Sequence, residues 1–301
     1  MSHILVTGGA GFIGSHIVDE LVKRNCDVTV LDHLRKKHES NLEESKDSIR
    51  LVKGSVTNRH LVRDNVDVDV IFHEASCDLL TKKPISSLMV NVKGTLNILE
   101  TMNEKCVLVF GSTGSVYGNP VYVPQDEKHP CHPVSPYGIS KHAAEQYINF
   151  YAKTYGLKTV ILRYYNVIGR RQNFRVVADF VKRVLNGEPP VIEGDGTQKR
   201  CFTSVEDIVQ ANILAYENEK AYGLTFNIAS NEITTINKLA SLVCSFSDRP
   251  ITPIHVTSRT GDVQNFEPSI YLAQTILGYS PKHGLKDMVA DLMTWMKEVQ
   301  K

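Results

Sequence analysis

The N-terminal segment "LVTGGAGFIGSHIVDELV" constrains the fold more than any other part of the chain. A short apolar strand runs into Gly8, Gly9, Gly11 and Gly14, and an amphipathic helical pattern follows at once. Glycines here allow a tight turn and a close approach of a pyrophosphate to the backbone. The helix start then offers N–H donors and the positive end of its dipole. Gly9-x-Gly11-x-x-Gly14 satisfies the dinucleotide fingerprint, and Gly8 adds a GxxGxxG frame. A second strand, "DVTVLD", ends in Asp32, eighteen positions after Gly14, where a carboxylate belongs if it is to reach adenosine ribose hydroxyls. Asp32 would repel a 2′-phosphate, which favours NAD over NADP; Arg35 and Lys36 stand close enough to moderate that preference.

The same alternation of short β-branched runs and helical stretches continues. Strands are predicted at 3–8, 27–32, 49–54, 69–75, 106–112 and 158–166, with helices near 14–24, 58–65, 85–103 and 136–155. This rhythm predicts an α/β fold with a doubly wound parallel sheet of Rossmann type, covered on both faces. After Asn166, Pro189-Pro190, Pro250, Pro253, Pro268 and Pro281 break the chain into shorter pieces. We therefore read residues 1–166 as a dinucleotide-binding domain and 167–301 as a smaller α/β region. "LTFNIAS" (224–230) reads as a strand that returns to the first sheet, so a segment near 200–230 belongs with the first domain.

With 34 Lys and Arg against 33 Asp and Glu, the formal charge of +1 gives no pull toward nucleic acid or a membrane surface. No apolar run is long enough to span a bilayer, and the N-terminus lacks a signal-peptide charge pattern. Six cysteines lie scattered without CxxC pairing, which fits reduced thiols and a cytoplasmic setting. Eleven histidines show no ligand spacing, so no metal is expected.

Two further segments carry chemistry. In "VSPYGISKHAAEQYINFYAKTYG", Ser135 and Pro136 mark a helix start, and Tyr137 and Lys141, four apart, share one helix face. A free phenol, with a pKa of about 10, is a poor base at neutral pH. A nearby ammonium, a cationic nicotinamide and the helix N-terminus all favour the phenolate. The second segment, "VLVFGSTGSVYG", gathers Ser112, Thr113, Ser115 and Tyr117 at the end of a strand. Its hydroxyls suit an ordinary turn as well as a site.

Taken with the ordered segments "VLDHL", "VNVKGTLNILE", "STGSVYG", "SPYGISK", "LRYYNVIGRRQ", "GDGTQKRCF", "VEDIVQANILA" and "RTGDV", the chain resembles the extended short-chain dehydrogenase/reductases of the nucleotide-sugar epimerase and dehydratase group over nearly its whole length. That resemblance implies that Tyr137 and Lys141 are catalytic and that Lys141 also holds the nicotinamide ribose. It places the substrate-sharing hydroxyl on Thr113, with Ser112 and Ser115 the neighbouring candidates. It extends the cofactor site from Gly8, Gly11, Gly14 and Asp32 to Phe12, Ile13, Ala75, Asn91 and Tyr164. It implies that Asn166 binds the sugar nucleotide and that Arg200 and Arg259 clamp its diphosphate, as two arginines converging on a dianion can. The implied reaction is NAD-dependent 4-epimerisation of a UDP-hexose through a transient 4-keto intermediate. A homodimer is implied through the helices near 85–103 and 138–155.

The chain also departs from the group. Dehydratases and decarboxylases carry an acid after the strand, where this chain has Gly114 and Ser115. Ser55 replaces an adenine-contacting acid, Cys201 an acid after the arginine, and Glu193 an aromatic that stacks on the base. Phe266, seven past Arg259, occupies the position expected to gate N-acetylated sugars. A sugar-nucleotide 4-reductase, an N-acetylhexosamine 4-epimerase, an epimerase at another carbon, an epimerase-like threonine dehydrogenase and a non-catalytic NAD-sensing protein are the competing readings.

Overall fold

β1 (His3–Thr7), β2 (Asp27–Asp32), β3 (Ile49–Lys53), β4 (Val70–His73), β5 (Val107–Thr113), β6 (Lys158–Tyr164) and β7 (Leu224–Ile228) form one sheet. Its spatial order is β7-β6-β5-β4-β1-β2-β3, and every pair is parallel. The structure is a computed structural model and describes residues 2–34, 38–77, 84–258 and 265–299. Arg35, Lys36 and Arg259 lie outside the described residues.

Helices cover both faces of the sheet, so the inner strands are apolar in both directions. Within β1, Ile4 and Val6 enter one core and Leu5 the other; within β5, Val107 and Val109 part from Leu108 and Phe110 in the same way. On the first face lie α1 (Phe12–Lys23), through Ile17 and Leu21, and the later helix Val205–Glu217, through Ile208 and Ala215. On the second face, α2 (Pro136–Tyr155) buries Ala144 and Ile148 against Phe110 and Ile161. A third core is built by α3 (Arg175–Leu185), α4 (Ile236–Cys244) and α5 (Leu285–Val299). All its members come from positions after Asn166, among them Phe180, Leu239 and Leu292.

The chemistry-bearing helix has well-marked ends. Ser135 Oγ accepts a hydrogen bond from Gly138 N (3.1 Å), Pro136 opens the first turn, and Gly156 closes the helix at φ +69°. The long helix expected over 85–103 differs. It is Pro84–Ser87, then a π-helical stretch Leu88–Lys93, then Gly94–Leu99. It ends at Leu99, and four residues on Asn103 Oδ1 accepts from the amides of Lys105 and Cys106 (both 2.9 Å) and makes a turn. The strand expected to run to Asn166 stops at Tyr164, since Asn166 sits at φ +32°, outside the extended region.

Candidate active site

The carboxyl ends of β1, β4, β5 and β6 line one crevice, the usual ligand position in an open parallel sheet. At the end of β1, Gly8 has φ +69°, and a Cβ there would lie 2.6 Å from Ala75 N. A Cβ on Gly14 would lie 2.3 Å from Gly8 O, so only glycine lets α1 start against the loop. The first-turn amides of α1, including those of Phe12 and Ile13, have no partner within the helix and face outward from its start. Asp32 is buried at the end of β2; one of its oxygens accepts from Ala10 N (3.1 Å) and the other from Leu34 N (2.8 Å). The loop and the carboxylate are thus tied together.

The strand-end turn and the head of α2 meet across the crevice. Thr113 Oγ1 accepts from Ser115 N (3.1 Å) and donates to Ser115 Oγ (3.2 Å). A Cβ on Gly138 would lie 2.7 Å from Ser115 O, which shows how closely the first turn of α2, with Tyr137, abuts that turn. Of the four hydroxyls, two are committed to buried bonds. Ser112 donates to Glu145 Oε1 (2.5 Å), and Tyr117 donates to Asn227 Oδ1 (2.8 Å) while accepting from Arg163 Nη1 (2.7 Å). Tyr137 is half-buried and Lys141 is buried one turn on. The Lys141 ammonium stands 3.9 Å from the centre of the Phe110 ring. Burial pushes it down to about 8, against the pull of Glu74 and Glu145.

Asn91 braces this helix. Its amide donates to Ser140 Oγ (2.9 Å) and Cys77 O (3.2 Å), and its oxygen accepts from Cys77 N (2.7 Å). Asn91 thus ties the segment after β4 to α2. Thr113 and Tyr164 are register partners in the sheet. Tyr164 donates to Glu74 Oε1 (2.8 Å) and accepts from Asn212 Nδ2 (2.9 Å). Neighbouring His73 is buried between Thr7 (2.7 Å) and Thr95 (3.0 Å), and burial lowers it to about 3, so it stays neutral.

The residues expected on the substrate side cluster next to this turn. Tyr165 packs on Gly114, where a Cβ would lie 2.6 Å from its ring, and stacks edge-on against Phe266 (6.1 Å). The Arg200 guanidinium lies 5.3 Å from the centre of the Phe266 ring, and Asn166 Nδ2 donates to Cys201 O (2.9 Å). Asn166, Arg200 and Phe266 therefore share one neighbourhood. Arg259 lies outside the described residues.

The family model for the "NAD dependent epimerase/dehydratase family" matches residues 4–229. The chain belongs to that family. A UDP-glucose 4-epimerase of Halalkalibacterium halodurans is 33% identical over 324 residues, covering 98% of this chain and 96% of that protein. The crystal structure of the Thermotoga maritima UDP-glucose 4-epimerase with UDP-glucose superposes with a TM-score of 0.92 at 33% identity, covering 99% of this chain and 100% of that one. The UDP-glucuronic acid 4-epimerase of Bacillus cereus, solved with UDP-glucuronic acid and NAD, gives 0.90 at 29% identity and covers 99% of each chain.

This member of the family is an isomerase of the epimerase class, and NAD is its cofactor. Its residues fit that group: the glycine loop leaves no Cβ between the α1 amides and a pyrophosphate, and Asp32 supplies an anionic oxygen at the second strand. One residue of the crevice escaped the sequence reading. Glu74 lies in "DVIFHEA", a segment read only as a strand. The signal was present: an acid directly after the end of a strand, at the place where a doubly wound sheet binds its ligand. Among the described residues, no helix is long and apolar enough to cross a membrane.

Proposed function

We propose that the protein interconverts UDP-galactose and UDP-glucose by inverting C4. The carrying observation is the packing of the first turn of α2, which bears Tyr137, against the Thr113 turn through Gly138 and Ser115; Gly114 and Ser115 offer no carboxylate there. NAD, held by the Gly8–Gly14 loop and Asp32, would supply the hydride acceptor and donor for C4. Tyr137 takes the C4 hydroxyl proton and later gives it back, with Thr113 hydrogen-bonded to the same oxygen. Lys141 keeps positive charge beside the phenolate. Arg200 and Arg259 hold the diphosphate and Asn166 the sugar nucleotide, which leaves the hexose free to turn over between the two transfers. The ring of Phe266 beside Tyr165 supports hexoses without an N-acetyl group.

Residues 1–166 with the returning segment near 200–230 form the cofactor half in this reading, and the rest of 167–301 the substrate half. We also propose a homodimer. Ile139, Tyr147, Phe150 and Tyr155 are exposed along α2, as are Ile85 and Leu88 on the neighbouring helical segment, and such a continuous apolar face suits a second copy. A nucleotide-sugar substrate and six free cysteines suit the cytoplasm.

Purified protein incubated with UDP-galactose is expected to yield UDP-glucose without net consumption of NAD. UDP-N-acetylgalactosamine and UDP-glucuronic acid, assayed in parallel, are expected to react at least tenfold more slowly. No conversion of UDP-galactose would overturn the proposal.

A further inference from the structure

Arg171 holds a backbone conformation that glycine adopts at less cost. Gln172 N donates to Gly169 O (3.2 Å), so residues 169–172 close a tight turn, and Arg171 stands third in it with φ +68°. A positive φ at that place in a turn usually belongs to glycine. An arginine kept there persists only where its surroundings hold it.

Those surroundings lead to the glycine loop. Arg171 Nη1 donates to Asp19 Oδ2 on α1 (2.6 Å), and each of the two side chains is only 12% exposed. The other Asp19 oxygen accepts from Ser45 Oγ (2.5 Å). Ser45 N donates to Leu42 O (3.0 Å), which ties it to the 3₁₀ turn Glu39–Leu42, and Leu42 is buried in the first core. From that turn Asn41, itself buried, donates through Nδ2 to Ala10 O (2.9 Å). Ala10 N donates to Asp32 Oδ2 (3.1 Å), so Ala10 is gripped at its amide and at its carbonyl. The 169–172 turn is fixed on both sides: His16 Nε2 donates to Arg170 O (3.0 Å) from α1, and Arg170 pairs with Glu298 (3.0 Å) on α5.

We propose that Arg171 is a positioning residue of the dinucleotide loop: its guanidinium, acting through Asp19, Ser45 and Asn41, fixes the Ala10 carbonyl and with it the loop that takes the pyrophosphate of NAD. The proposal rests on the glycine loop being the pyrophosphate site.

The loop needs such bracing. Gly8, Gly9, Gly11 and Gly14 fall within seven positions, and glycine samples more backbone conformations than any other residue. A loop already held in its binding geometry loses less entropy when the ligand arrives. Asp32 and Asn41 hold Ala10 directly. Asn41 is held in turn only as firmly as its own segment, which Ser45 fastens to Asp19. With the guanidinium gone, the Asp19 carboxylate loses its charged donor and turns to water, which frees Ser45 and loosens the segment that carries Asn41.

The test titrates NAD and ADP into the full chain by calorimetry for wild type, Arg171→Gly, Asn41→Ala and the double variant. Glycine accepts φ +68° freely, so Arg171→Gly removes the guanidinium without straining the turn. Asn41→Ala is expected to weaken both ligands about tenfold, the scale of one buried acceptor left unpaired. Arg171→Gly should weaken them by about threefold to tenfold when Asn41 is present. Once Asn41 is alanine it should weaken them by less than about twofold, because Arg171 then has nothing to act through. Urea unfolding of the same four proteins supplies the contrast. Loss of the Arg171–Asp19 pair should lower stability equally with and without Asn41, so a merely structural role would give equal losses of NAD affinity in both backgrounds as well. Equal losses of affinity, or an Arg171→Gly variant that binds NAD like wild type while Asn41→Ala does not, would overturn the proposal. Unchanged NAD binding in Asn41→Ala sinks the loop as the pyrophosphate site and the proposal with it, a failure recognisable from the Asn41→Ala titration alone.

Discussion

Tyr137→Phe removes one oxygen and leaves the ring and the cap of α2 in place. Activity is expected to fall by about 10²–10⁴-fold, the range for a positioned general acid–base group, with folding unchanged by circular dichroism. An active variant would move the proton transfer elsewhere. Asp32→Ala is expected to weaken NAD binding at least about tenfold, the loss of a hydrogen bond to a charged acceptor, and to narrow the preference over NADP. Fluorescence titration with both cofactors measures it, and an unchanged ratio would sink the ribose role of Asp32. These residues were legible in the sequence because their signals are local. A glycine loop, an acid eighteen positions on and a YxxxK on one helix face need no knowledge of the rest of the fold. Glu74 was not legible for the opposite reason. What gives it meaning is Tyr164, ninety positions later, and a glycine at 111 that makes room for it. The missing acid at Gly114 and Ser115 is thus not the absence of any acid from the crevice. A carboxylate is present, but hung beneath the site on Tyr164.

At the scale of elements, α2 is held to the sheet by a buried charge pair. Arg163 on β6 donates through Nε to Glu145 Oε1 (3.0 Å) and through Nη2 to Oε2 (2.6 Å), and Ser112 on β5 adds a third bond. Breaking such a pair by removing one partner costs about 3–5 kcal/mol, because the other charge stays buried. Glu145→Ala is expected to lose stability of that order in urea unfolding, whereas Phe150→Ala on the exposed face of the same helix should lose far less. Equal losses would refute the assignment. The pH dependence follows from the sign of the shift. Burial alone would raise the Glu145 carboxyl, but bonds from His142 and Arg163 hold it below its ordinary value. Its stabilisation is therefore complete at neutral pH and is lost as pH falls through the folded-state value, which lies on the acid side of an ordinary glutamate. The stability gap between wild type and Glu145→Gln is expected to close over that acid range. The start of helix α2 was legible from Ser135-Pro136. The break in the helix predicted over 85–103 was not. Its π-helical stretch carries Asn91, whose partners Cys77 and Ser140 come from distant elements.

At the scale of the molecule, the exposed row on α2 makes an association test direct. Phe150→Glu is expected to yield a monomer in sedimentation if that face meets a second copy, and an unchanged mass would place any contact elsewhere. The alternation of strands and helices made the doubly wound sheet legible, and the proline-broken rhythm after Asn166 marked a different region. Which sheet edge the strand at 224–228 would occupy was not legible, since pairing partners are set by packing and not by local pattern. That edge has a consequence for synthesis. Leu224 follows Tyr164 by sixty positions, so a nascent chain carries β6 with one side unpaired long after the strands before it can assemble. An open parallel edge is a template for another chain. A fragment ending at residue 200 is expected to self-associate, and a synthetic peptide of residues 224–230 should suppress this by taking the vacant lane. Light scattering that is the same with and without the peptide would show that the hazard lies elsewhere.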